Sequence, residues 1–189
     1  TGKVKKEQAL YFGIILSALS ISIIYFSANL ISSILLASTI AFYFFVYTIW
    51  LKRKTPQNIV IGGAAGALPP VIGWTIATGN ISLEPLILFL IIFLWTPSHF
   101  WALSLYKSGD YKRAKIPMLP IIFGVKTTKM NILVYALIMS PAVIAPYFFN
   151  FASLFYLIVS SMMTVYYIYL CFKLYRSKIA KVSNKIARK

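Results

Sequence analysis

The sequence predicts an all-α, polytopic transmembrane helix bundle of six spans, and three observations predict it. Of 189 residues, 60% are hydrophobic and 12% charged, with a mean hydropathy of +0.80. A soluble domain carries about a quarter charged residues and roughly half apolar ones. Second, apolar runs of about twenty residues recur along most of the chain, each long enough to cross a ~30 Å hydrocarbon core as a helix. Third, the basic residues sort into alternate connections between those runs, the pattern of Lys and Arg held on one side of a membrane. The runs are far longer than the ~10-residue alternating strands of an outer-membrane barrel. Because backbone polar groups in lipid must be paired internally, helices are the solution.

In chain order the spans are expected at about residues 8–27, 30–50, 59–78, 84–106, 130–147 and 152–173. Lys3, Lys5 and Lys6 precede the first, and Lys52, Arg53 and Lys54 separate the second from the third. Six more lie between the fourth and fifth, and seven in the tail from Lys173, which accounts for all 19 Lys and Arg. The connections near Ala28, around "TGNISLE" and around "YFFNFA" carry none. Both chain ends are therefore expected on the cytoplasmic side of the membrane. The net charge of +16, against only Glu7, Glu84 and Asp110, would by itself suit nucleic acid. A nucleic-acid binder would not sort its charge by alternate loops, so no nucleic acid is expected and the lipid bilayer is the partner.

The first run is too long for a signal-peptide core, and further spans follow it. Cys171 is the only cysteine, which leaves no intrachain disulfide and no CxxC metal site. No repeat, low-complexity segment or linker divides the chain, so residues 1–189 read as a single membrane domain. Residues 107–129, "KSGDYKRAKIPMLPIIFGVKTTK", are expected as one cytoplasmic loop whose length hints at function.

Three clusters could carry chemistry. In "FLWTPSHFWALSLYKSGDY" a helical period puts Trp95, His99, Ala102 and Tyr106 on one face and, continued, reaches Asp110. Pro97 removes a backbone donor and is expected to kink the helix beside His99 and shape a cavity. The alternative is a His99 that hydrogen-bonds a neighbouring helix, with aromatic residues anchoring at the interface. In "VYTIWLKRKTPQN", Tyr47 and Trp50 end a helix just before Lys52, Arg53 and Lys54. That arrangement suits either an interfacial anchor or a diphosphate clamp shared with Lys107, Lys112, Arg113 and Lys115. In "IVIGGAAGALPPVIGW", Gly62 and Gly66 have the GxxxG spacing of close helix packing, and Pro69 and Pro70 suggest a break lining a cavity. No HExxH, P-loop or Ser-His-Asp arrangement is apparent.

Taken together, "VYTIWLKRKTPQNIVIGGAAGALPPVIGW" and "FLIIFLWTPSHFWALSLYKSGDYKRAKIPMLP" resemble the haem O synthase (protohaem IX farnesyltransferase) family of UbiA-type intramembrane prenyltransferases, over nearly the whole chain. The resemblance implies transfer of farnesyl from farnesyl diphosphate to a vinyl group of haem B, with water adding a hydroxyl, diphosphate leaving and haem O as product. It implies Mg²⁺ between acidic residues and the diphosphate. Residue by residue, Asp110 with Tyr111 and Arg113 matches the family's second polar loop, and Lys52 and Arg53 match its basic helix end. Catalytic roles are then expected for Asp110, Tyr106 and Arg113, with Asp110 as metal ligand, and diphosphate binding for Lys52, Arg53, Lys107 and Lys112. A haem and prenyl pocket would be walled by Tyr47, Trp95, His99 and Trp101, whose aromatic faces could shield an allylic cation. A haem A synthase or an oxidase-assembly protein is a further expected partner.

The chain departs from the family pattern in two ways. Its "YKSGDYKRA" loop holds one Asp where relatives often show more acids. The NxxxDxxxD-type first motif is absent, so the chain reads as helices three to eight of a nine-helix fold, lacking the terminal helices and expected to be inactive by itself. Two other functions compete: a prenyltransferase for another aromatic acceptor, such as a quinone precursor, which "WTPSHFWAL" disfavours, and a non-catalytic transporter or assembly protein.

Overall fold

Each apolar run becomes a long helix in the computed structural model, which describes residues 4–177. Lys3 and the tail cations Lys178, Lys181, Lys185, Arg188 and Lys189, part of the charge pattern above, lie outside the described residues. The elements are α1 Lys6–Ser27, then α2 Leu30–Ala41, which continues into a π-helical segment Phe42–Leu51, α3 Asn58–Ala67 and α4 Pro69–Thr78. There follow α5 Leu83–Tyr106, the short α6 Ser108–Arg113 and α7 Leu119–Ile122, then α8 Gly124–Phe148 and α9 Leu154–Arg176. Among the described residues there is no strand, and six segments are long and apolar enough to cross a membrane: α1, α2 with its π extension, α3 with α4, α5, α8 and α9.

The boundaries follow local chemistry. Asn29 caps α2 by accepting from the Ser32 N–H at 2.9 Å, and its Nδ2 donates to the Thr75 carbonyl at 2.7 Å, tying α2 to α4. The third run is interrupted at Leu68, and α4 restarts on Pro69 and Pro70, whose missing donors cost nothing in a first turn. Gly79, at φ 76°, ends α4 in the left-handed conformation that suits glycine. α5 stays helical through a buried Pro97. The fifth long helix begins at Gly124, so residues 107–129 contain α6, α7 and the first turns of α8. Lys129 accordingly sits in α8, only 5% exposed, and donates to the Ser177 carbonyl at 2.7 Å, meeting an acceptor at the end of α9.

Burial is concentrated in the middle of the chain. α3 packs on α5, α5 on α8 and α8 on α9, around a cluster of Trp101, Leu119, Ile132, Ala136 and Cys171. Polar groups stitch these helices together: the Tyr167 hydroxyl of α9 donates to Ser98 Oγ of α5 at 2.9 Å, and Ser98 donates to the Ile132 carbonyl of α8 at 2.9 Å. α1 packs on α2 and has no buried residue although it is apolar all round. Such a helix suits hydrocarbon, where apolar exposure carries no penalty.

Candidate functional site at the end of the π-helical segment

The π-helical segment aims the first site residue. Its wider turns are visible in the Lys52 N–H donating to the Tyr47 carbonyl at 2.8 Å and the Thr48 hydroxyl donating to the Tyr43 carbonyl at 2.9 Å, both five residues back. In this register the Tyr47 ring lies on Gly62 of α3, so closely that a Cβ there would clash with the Cδ2–Cε2 edge of the ring. Tyr43 stands beside it, with ring centroids 5.1 Å apart. The Lys52 ammonium sits 5.8 Å from the Tyr47 ring centroid, within cation–π range. Trp50 is 56% exposed, as an interfacial anchor would be.

The basic residues stand on a tight turn. Lys54 and Thr55 N–H both donate to the Leu51 carbonyl, at 3.0 and 3.2 Å. Asn58, 1% exposed at the start of α3, closes the turn from below: its Nδ2 donates to the Thr55 carbonyl at 2.7 Å and to the Lys52 carbonyl at 3.3 Å. Lys52 is half-buried, while Arg53 and Lys54 are exposed.

The second polar element is α6. Asp110 and Arg113 form an ion pair of 2.7 Å with both side chains well exposed, and Lys107 and Lys112 are exposed beside them. α6 follows α5 directly, two spans after the Lys52 turn, and so belongs to the same end of the bundle as that turn. Arg113 serves Asp110 within its own turn and does not reach across to that turn.

The stripe on α5 exists and is open. Trp95, His99, Ala102 and Tyr106 are all exposed, and so is Asp110 beyond them. The His99 ring stacks on Trp95 at 4.3 Å and 19°, with Phe100 edge-on at 5.4 Å. Among the described residues no hydrogen bond reaches the His99 ring, so the neighbouring-helix alternative has no support there.

Two expectations need correction. Trp101, expected in one pocket wall with Trp95 and His99, lies apart from them: two residues beyond His99 a 3.6-residue helix has turned to its opposite side, and Trp101 is 1% exposed, edge-on to Tyr135 at 5.2 Å in the core. The GxxxG pair is not the close-packed pair either, since a Cβ at Gly66 would meet nothing within 4 Å among the described residues. The close approaches are at Gly62, against Tyr47, and Gly63, where a Cβ would be 3.0 Å from Thr96 Cγ2. Asn58 and the π register are the structural features of this end that spacing missed. The signal for Asn58 was a polar residue opening an apolar run directly after a Pro-containing turn.

A cation finds one hard ligand here. Among the described residues no three His, Cys, Asp or Glu side chains gather, and Asp110 already pairs with Arg113. One carboxylate can hold an edge of a Mg²⁺ ion whose other positions are filled by phosphate oxygens and water, but not retain the ion by itself.

The fold and this site define an integral membrane protein with a cationic, aromatic-floored site at one end of its bundle. The chain belongs to the UbiA prenyltransferase family, whose model matches residues 1–187. Proteins of this family generally use a divalent metal. Among its relatives, the "Protoheme IX farnesyltransferase" of Pelagibacter ubique (strain HTCC1062) is 65% identical over 187 residues, covering 99% of this chain and 62% of that protein. Proteins of the same name are 51% identical over 179 residues in Ehrlichia ruminantium (strain Gardel), covering 95% of this chain and 61% of the relative, and 50% identical over 188 residues in Rhizobium rhizogenes (strain K84 / ATCC BAA-868), covering 100% and 59%. The chain thus spans about 60% of the length of these relatives. No solved structure matches it.

Proposed function

We propose that this chain belongs to a protohaem IX farnesyltransferase, which transfers farnesyl from farnesyl diphosphate to a vinyl group of haem B and yields haem O. The observation that supports it most is the Lys52 ammonium over the Tyr47 ring, at the end of the bundle where α6 carries the Asp110–Arg113 pair. The similarity to proteins named for this activity adds to it. Lys52 and Arg53, with Lys107 and Lys112, hold the diphosphate, and Arg113 adds a planar fork. As the allylic C–O bond breaks, its electron pair leaves with the diphosphate, whose charge these cations stabilise. Mg²⁺, when bound through Asp110 and phosphate oxygens, supplies further neutralisation of that charge. The vinyl π pair bonds to the allylic carbon, and water captures the cation left beside the porphyrin, losing a proton. Tyr47 and the Trp95–His99 pair face the isoprenoid and haem and limit early capture by water. Tyr106 joins the stripe to the polar end. The site lies on the cytoplasmic side of a bacterial inner membrane, with both ends of the chain on that side.

Membranes expressing the complete coding sequence around this chain, supplied with haem B and farnesyl diphosphate, are expected to form haem O. A prenylated quinone precursor in its place, or no product, would contradict the assignment. Asp110→Asn should lower the rate by about 10²-fold, the usual cost of one electrostatic stabiliser. The thermal midpoint should barely move, because an exposed ion pair adds little to stability. Undiminished activity would remove Asp110 from the site.

A further inference from the structure

We infer that Asn58 is a positioning residue for the Lys52 ammonium, an inference that rests on the diphosphate site proposed above. The two halves of its amide are treated unequally. Nδ2 donates to the carbonyls of Thr55 and Lys52, at 2.7 and 3.3 Å, whereas the buried Oδ1 has no partner among the described residues. A buried polar atom left unpaired is a net cost that an apolar residue would avoid, so what the amide supplies is its two donations. Both land on the turn that carries the cations, one of them on the backbone of Lys52 itself. Four residues on, on the same face of α3, Gly62 seats the Tyr47 ring over which the Lys52 ammonium lies. One helix face therefore fixes the Lys52 side chain twice, through its backbone by Asn58 and through the aromatic floor beneath its ammonium by Gly62. A close approach of α3 to α5 is at Gly63, against Thr96, five residues along the helix from Asn58. Removing the donations should loosen the cation without dismantling the helix pair.

The test is steady-state kinetics of the full-length protein in membranes, with farnesyl diphosphate varied at saturating haem B, for Asn58→Ala, Asn58→Asp, Asn58→Ser, Lys52→Ala and the Asn58→Ala/Lys52→Ala double variant. Asn58→Ala, and Asn58→Asp, which keeps the shape but loses both donations, should raise KM for farnesyl diphosphate about five- to tenfold with kcat nearly unchanged. Asn58→Ser, which keeps one donor, should recover part of that loss. Lys52→Ala should raise the same KM, and the double variant should match Lys52→Ala alone, because residues acting through one another do not add. A fall in kcat or in inserted protein at unchanged KM would mark Asn58 as merely structural and overturn the inference. Additive effects, or a Lys52→Ala effect with none at Asn58, would overturn it while leaving the diphosphate site standing. An unchanged KM in Lys52→Ala would remove that lysine from the diphosphate site and take this inference with it.

Discussion

Gly62 and Gly66 lie four residues apart in one helix, yet a methyl added at the first clashes with the edge of the Tyr47 ring and at the second meets nothing within 4 Å. Gly62→Ala should therefore destabilise the protein by about 1–3 kcal/mol, the usual cost of overpacking. Gly66→Ala should leave it unchanged or add about 0.5–1 kcal/mol through helix propensity. Unfolding in detergent checks both, and equal losses at the two positions would contradict the asymmetry. Spacing could not tell these glycines apart, because a GxxxG pattern marks where helices can approach and not which of its members does. Trp101 was legible only through helical phase. It sits in the same aromatic-rich stretch as Trp95 and His99, and composition groups all three, but only the helical phase separates the core ring from the open stripe. The stripe of Trp95, His99, Ala102 and Tyr106 was legible because it follows that phase.

At the scale of elements, all six long apolar segments were legible from run length alone. Their internal register was not. Phe42–Leu51 reads as ordinary apolar helix, and nothing in its residues announces the five-residue hydrogen bonds that swing Tyr47 onto α3. The start of α8 was hidden by its own lysines: hydropathy falls across "GVKTTK" although the backbone is already helical, and Lys129 finds its acceptor on Ser177. The inter-helix relay gives a test of the packing. Ser98→Ala and Tyr167→Phe should each cost about 0.6–1.7 kcal/mol, the range for hydrogen bonds between membrane helices. Because the two share the bond between Tyr167 and Ser98, the double variant should cost less than the sum of the singles. Additive losses would show that the bond does not couple α5 to α9.

For the whole molecule, charge distribution carried more than composition did. A surplus of basic residues alone fits several partners, but its confinement to alternate connections fits one topology, with the Lys52 turn and α6 on a common side. That shared side is what the chemistry needs, since two basic elements across a bilayer from each other could not hold one anion. The most direct test is sidedness of labelling in a Cys171→Ala background, single cysteines being placed at Lys54, Ala114 and Asn80. In right-side-out vesicles a membrane-impermeant maleimide should modify Asn80→Cys and spare Lys54→Cys and Ala114→Cys, and inverted vesicles should reverse the pattern. Labelling of Ala114→Cys from the same side as Asn80→Cys, with Lys54→Cys on the other, would contradict the account.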